Sequence, residues 1–106
     1  GEARGMDAII FDDEVDTAGT VTNAAALLKT HEARRIYLCA THAVFSPPAT
    51  QRLREAGFEE IVVTNTVPIP PDKMLPNLTT LSVAPFIAQV ISRIHHGQSV
   101  GELINE

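Results

Sequence analysis

Two adjacent carboxylates, Asp12 and Asp13, close the apolar run Ile9-Ile10-Phe11. The loop Asp16-Thr17-Ala18-Gly19-Thr20 follows, and then an alanine-rich stretch at helical spacing. Carboxylates hold sugar hydroxyls by accepting their hydrogen bonds. Backbone N–H groups at a helix start hold phosphates, helped by the partial positive charge there. This segment offers both, a few residues apart. A phosphate monoester fits at residues 16–20 without Lys or Arg. Thr17 and Thr20 add hydroxyls, and Gly19 lets the backbone approach a ligand or take positive φ. The acids would repel that phosphate, so they are assigned the other end of the same ligand. Adjacent strand residues point to opposite faces, so Asp12 and Asp13 cannot do the same job. One reaches toward a diol or a metal-bound water, the other toward a neighbouring loop or helix. The pattern suggests a pentose 5-phosphate lying across the segment. The plainer alternative makes Asp16 or Thr17 a helix cap and the acidic pair a solvated turn. The complete order of strand, acids, loop and helix favours the ligand site.

The elements that must position this segment follow from periodicity. A strand over residues 8–12 is a continuous apolar run, as in parallel strands covered on both faces. A helix over 20–31 carries Ala24, Ala25, Leu27 and Leu28 as its apolar stripe. The second strand spans 35–40, and residues 41–45 connect it to a second helix. There Ser46 is read as the N-cap, Pro47-Pro48 as the first turn and Gly57 as the stop. The third strand is read at 60–64. Residues 65–77 hold four of the 7 prolines and form a loop. A fourth strand spans 78–83. A third helix begins near Pro85, carries Phe86, Ile87, Val90, Ile91 and Ile94 at helical spacing, and ends at Gly97. The tail is a short turn of helix or coil. This alternation predicts an α/β fold, an open and mainly parallel sheet with helices on both faces. Ligands in such sheets bind beyond the carboxyl ends of the strands.

The 106 residues bound the chain to one small domain, with 44% hydrophobic and 20% charged residues. A net charge of -5 and scattered basic residues argue against a general nucleic-acid surface. No apolar run reaches the ~18 residues of a membrane-spanning helix, and no signal peptide is visible. A cytoplasmic location fits. The lone Cys39 forms no intrachain disulfide and is read as a buried structural residue.

On these residues the chain resembles the type I phosphoribosyltransferase fold, because residues 12–20 are similar to its ribose-phosphate-binding signature. More narrowly it resembles the ribose-phosphate pyrophosphokinase family. Four further segments are similar to that family in its order: Thr41-His42-Ala43-Val44-Phe45-Ser46-Pro47-Pro48-Ala49, Val62-Val63-Thr64-Asn65-Thr66, Leu81-Ser82-Val83-Ala84-Pro85 and Ile94-His95-His96-Gly97-Gln98-Ser99-Val100. The resemblance covers nearly the whole chain. It implies transfer of the β,γ-diphosphate of ATP to the anomeric oxygen of ribose 5-phosphate, with Mg²⁺. Asp16, Thr17, Ala18, Gly19 and Thr20 would hold the 5-phosphate, and Asp12 and Asp13 the ribose hydroxyls.

The family is much longer than this chain. Its ATP site, metal ligands and mobile Lys/Arg loop lie upstream of residue 1, so no catalytic residue and no metal ligand is expected here. Residues 1–106 are expected to be the C-terminal part of the second phosphoribosyltransferase-like domain, unable to make phosphoribosyl pyrophosphate alone. The sheet should be incomplete on its N-terminal side. The exposed edge and apolar helix faces would then favour a homo-oligomer or pairing with the missing portion. Ser99 matches an allosteric phosphate or ADP site between subunits, whereas Gly101 stands where another serine is common.

Three rivals share features. A receiver domain also has an acidic pair after its first strand, but Thr64-Asn65-Thr66 offers no phospho-accepting Asp after the third strand. A base-exchanging phosphoribosyltransferase shares the loop but not the downstream segments. A non-catalytic synthetase-associated subunit keeps the fold and assembles with active subunits, and loss of the upstream Lys-x-Arg loop would mark it. Among weaker features, His42 is read as a loop or capping histidine. His95-His96 are read as residues at a helix C-terminus rather than metal ligands, since adjacent helical residues do not share a face.

Overall fold

A computed structural model describes residues 2–105. Four strands form one sheet in the order β1-β2-β3-β4, and all neighbours are parallel. They are β1 (Asp7–Val15), β2 (Arg35–Ala43), β3 (Glu60–Thr64) and β4 (Leu78–Leu81). Helix α1 (Gly19–Thr30) connects β1 to β2, and α2 (Ala49–Ala56) connects β2 to β3. A loop with a 3₁₀ turn at Pro71–Lys73 leads to β4, and α3 (Ala84–His95) and α4 (Gly101–Ile104) follow. The open parallel α/β sheet is as expected from the alternation.

Sequential order with right-handed crossovers places α1 and α2 on the same face. Burial agrees: Ile36, Leu38 and Ala40 of β2, Ile61 and Val63 of β3 and Leu53 of α2 belong to one core. The other face is open, with Ile9 55% and Phe11 75% exposed. The expected helix layer on that second face is therefore not formed by the described residues. Helix α3 buries none of its residues, and Phe86, Ile87, Ile91 and Ile94 stay exposed. A radius of gyration of 16.6 Å fits this extended outline, against about 13 Å for a compact chain of this length.

Several boundaries move. β1 runs on to Val15, so Asp12 and Asp13 lie inside the strand. β2 runs on to Ala43, so His42 sits in a strand and not in a connection. The extra length is ladder pairing of Glu14 with His42 and Val15 with Ala43. β1 is an edge strand, so its acids remain in water without breaking the ladder. Ser46 does not cap α2, which starts after Pro48 with no side-chain cap. Pro48 lacks one of the N–H groups that the Ser46 hydroxyl could reach, and the Ala49 N–H donates to the Ser46 backbone carbonyl at 2.9 Å instead. Gly57 ends α2 at φ 76, and Gly97 follows α3 at φ 65, both in the expected left-handed region. Cys39 is only half-buried, because it lies on the open face.

Candidate functional site at the β1–α1 loop

Residues 8, 10, 12 and 14 of β1 pair with 36, 38, 40 and 42 of β2. Ile36, Leu38 and Ala40 are buried beneath the helices; the alternation breaks after Asp12, because Val15 and its partner Ala43 are buried as well, and Asp12 and Glu14 come together at the C-terminal end of β1. There they border a cavity of about 180 Å³ together with Asp16, Thr17, Ala18, Gly19 and Thr20. Six of the seven expected substrate residues thus meet around one hollow. Asp13 does not border that hollow, although its carboxyl lies within hydrogen-bonding reach of the Asp12 carboxyl. The two acids are also linked through the backbone. Asp13 N–H donates to Asp12 Oδ1 at 2.8 Å, and Glu14 N–H donates to Asp13 Oδ1 at 2.9 Å. Hydrogen bonding with the Asp12 carboxyl holds Asp13 below the usual carboxylate range. The N–H groups of Glu14 and Asp13 and the charge of His42 lower it further, against a small desolvation cost.

The loop itself is anchored by three buried apolar residues, Val15, Ala18 and Val21. Ala18 is the residue that precedes α1, and it adopts the left-handed conformation at φ 69. The positive φ expected as one option for Gly19 therefore falls one residue earlier. Neither Asp16 nor Thr17 caps α1, which has no side-chain cap bond. The Thr22 N–H and hydroxyl both donate to the Ala18 carbonyl, at 3.1 and 2.6 Å. Among the described residues, the N–H groups of Ala18, Gly19, Thr20 and Val21 find no acceptor. These are the unpaired donors of a helix start, and they carry the positive end of its dipole. One rim of the hollow is thus acidic and the other presents free donors.

Two residues enter this site unannounced. Glu14 had a signal, since it continues the acidic run of Asp12 and Asp13. Arg52 had none: 35 positions downstream, on α2, it donates from Nη1 to the Thr17 carbonyl at 3.2 Å. It lies behind the loop, in a separate groove of about 390 Å³ between α1 and α2.

A second polar cluster closes the C-terminal ends of β2 and β3. The Thr64 hydroxyl donates to the Thr41 carbonyl at 2.6 Å and lies 2.9 Å from the Thr66 hydroxyl. His42 Nδ1 lies 2.7 Å from that Thr66 hydroxyl. Asn65 Oδ1 accepts from Val83 N–H at 2.9 Å, and the Ser82 hydroxyl accepts from Ala84 N–H at 3.1 Å. Segments 41–42, 64–66 and 82–84, far apart in sequence, therefore meet at one end of the sheet. Ser99 stands apart from the loop. Its hydroxyl accepts from Glu102 N–H at 3.3 Å, and its carbonyl accepts from Arg93 at 2.9 Å. His96 Nδ1 lies 2.8 Å from the Ser92 carbonyl, which fits a role at the end of α3.

Comparison with known proteins adds the following. Residues 1–105 match the phosphoribosyl synthetase-associated domain family. A ribose-phosphate pyrophosphokinase of Synechococcus elongatus is 50% identical over 104 residues, covering 97% of this chain and 31% of the relative. A chloroplastic ribose-phosphate pyrophosphokinase 1 of Oryza sativa is 50% identical over 101 residues, covering 95% of this chain and 26% of the relative. The crystal structure of a phosphoribosylpyrophosphate synthetase from Mycobacterium smegmatis superposes with a TM-score of 0.89 at 44% identity. That match covers 92% of this chain and 33% of the solved one. The chain spans roughly a quarter to a third of the length of these relatives.

Proposed function

The chain belongs to the phosphoribosyl synthetase-associated domain family, and we propose that it forms the ribose 5-phosphate-binding portion of a ribose-phosphate pyrophosphokinase. The supporting observation is the two-sided hollow that Asp12 and Glu14 share with residues 16–20. The free N–H groups of Ala18, Gly19 and Thr20 receive the 5-phosphate, with Thr17 and Thr20 hydroxyls beside them. Asp12 orients the ribose through its hydroxyls, and Glu14 shares that rim. Asp13 stands beside Asp12 and steadies Asp12 and Glu14 through the backbone. These residues contribute by positioning, which presents the anomeric oxygen to the donor in a fixed orientation.

The whole reaction, transfer of diphosphate from ATP to give phosphoribosyl pyrophosphate and AMP, needs parts from outside these residues. Residues 1–106 are proposed as the C-terminal part of the second phosphoribosyltransferase-like domain. ATP, the catalytic Lys and Arg, and the ligands of Mg²⁺ are assigned to the portion upstream. A cytoplasmic homo-oligomer and an effector site that includes Ser99 complete the proposal.

Calorimetric titration tests the site. Ribose 5-phosphate should bind, and unphosphorylated ribose should bind at least about tenfold more weakly, as expected from losing charge-assisted hydrogen bonds. Asp12→Asn should weaken ribose 5-phosphate while leaving inorganic phosphate unaffected. Equal affinity for the sugar with and without phosphate would overturn the assignment. Turnover of ATP and ribose 5-phosphate by this chain alone would overturn the claim that the chemistry lies elsewhere.

A further inference from the structure

We infer that Arg52 is a positioning residue for the loop of residues 16–20, a role that rests on reading this loop as the 5-phosphate site. Arg52 lies on the exposed side of α2, so packing does not explain its placement. Its guanidinium reaches across to the Thr17 carbonyl. In a trans peptide unit the C=O and N–H point in opposite directions. Holding the Thr17 oxygen toward Arg52 therefore turns the Ala18 N–H away from Arg52. The cavity bordered by residues 16–20 does not include Arg52 among its walls.

The same peptide unit is strained. Ala18 sits at φ 69, a region that alanine avoids. Rotating the 17–18 peptide would change ψ of Thr17 and φ of Ala18 together. That motion would return Ala18 to negative φ and swing its N–H out of place. Arg52 opposes the rotation by holding the oxygen that would have to leave. Gly19 makes room for this brace, because a Cβ there would sit 3.3 Å from Arg52 Nη1. The hydrogen bond and the space left at Gly19 both belong to this one placement of the Arg52 guanidinium.

The test uses this chain as wild type, Arg52→Ala and Arg52→Lys, with ribose 5-phosphate as the ligand. Arg52→Ala should weaken binding about tenfold, the effect of one hydrogen bond to a charged donor. It should shift the amide resonance of Ala18 in the free chain and leave the thermal midpoint nearly unchanged. Arg52→Lys keeps a donor and a charge of similar reach, so it should restore most of both signals. Wild-type affinity and an unmoved Ala18 amide in Arg52→Ala would overturn the role of Arg52 while leaving the site intact. Absence of ribose 5-phosphate binding by the wild type would instead overturn the site, and the role of Arg52 with it.

Discussion

The two faces of this sheet are made from alternate residues of the same strands, yet they live in opposite environments. On one face Leu38 and Ile61 are completely buried under α1 and α2. On the other, Phe11 is 75% exposed one position from Ile10, which packs on the core. The loop of residues 16–20 belongs to the covered face, tied down by Val15, Ala18 and Val21. The comparison teaches where packing in this chain is self-sufficient. Beneath the candidate site the described residues form a buried core. The open face and the apolar side of α3 are left uncovered by the described residues.

Mutations can break that contrast. The largest effect belongs to the covered face, where Leu38→Ala should cost about 3 kcal/mol in chemical unfolding, the usual range for a fully buried leucine. Helix ends come next. Gly57 has φ 76, and a Cβ there would lie 2.6 Å from Lys29 Nζ; Gly57→Ala should cost about 1–2 kcal/mol from the left-handed backbone alone. Ala18 has the same backbone but carries the methyl group, so Ala18→Gly should stabilise by up to about 1 kcal/mol. A loss of stability there would show that the Ala18 methyl contributes more by packing than its backbone costs. On the open face, Phe11→Ala should change unfolding by no more than about 0.5 kcal/mol. A loss above about 2 kcal/mol would show that this face is covered in solution.

The smallest effect is electrostatic. The Arg34 guanidinium, hydrogen-bonded to both oxygens of Asp7 at 3.0 Å, holds that carboxyl below its ordinary value of 3.8. Asp13 is lowered as well, first by the Asp12 carboxyl. Carboxyls depressed in the folded state contribute stability that is present above their unfolded pKa and is lost as pH falls through the folded one. Thermal midpoints should therefore be flat above about pH 5 and decline slightly below about pH 4 on account of these two groups. Arg34→Gln should remove the Asp7 share of the decline. A midpoint that rose on acidification would contradict the assignment.

Much of this architecture was legible in the residues. Apolar runs located all four strands, and Gly57 and Gly97 marked their helix ends because only a left-handed residue closes a helix in that way. The acidic pair and the small-residue loop were legible as a unit. Strand ends were not: pairing carried β1 through Asp12, Asp13 and Glu14, where hydrophobicity had already stopped. Hence Glu14 was overlooked although it continues the acidic run of Asp12 and Asp13. The second cover of the sheet was expected because continuous apolar runs usually mean two buried faces. Periodicity reports a preference for burial and does not say which chain satisfies it. Arg52 was invisible for another reason, since a contact across 35 positions leaves no local pattern.

The central claim is that residues 16–20 receive the phosphate of ribose 5-phosphate while Asp12 meets its sugar. Amide resonances of the labelled chain, followed during titration with ribose 5-phosphate, test it most directly. The account predicts saturable shifts concentrated at Ala18, Gly19 and Thr20, smaller ones at Asp12 and Glu14, and none at Ser99. Shifts centred on Ser99, or a titration that leaves the loop amides unmoved, would contradict it.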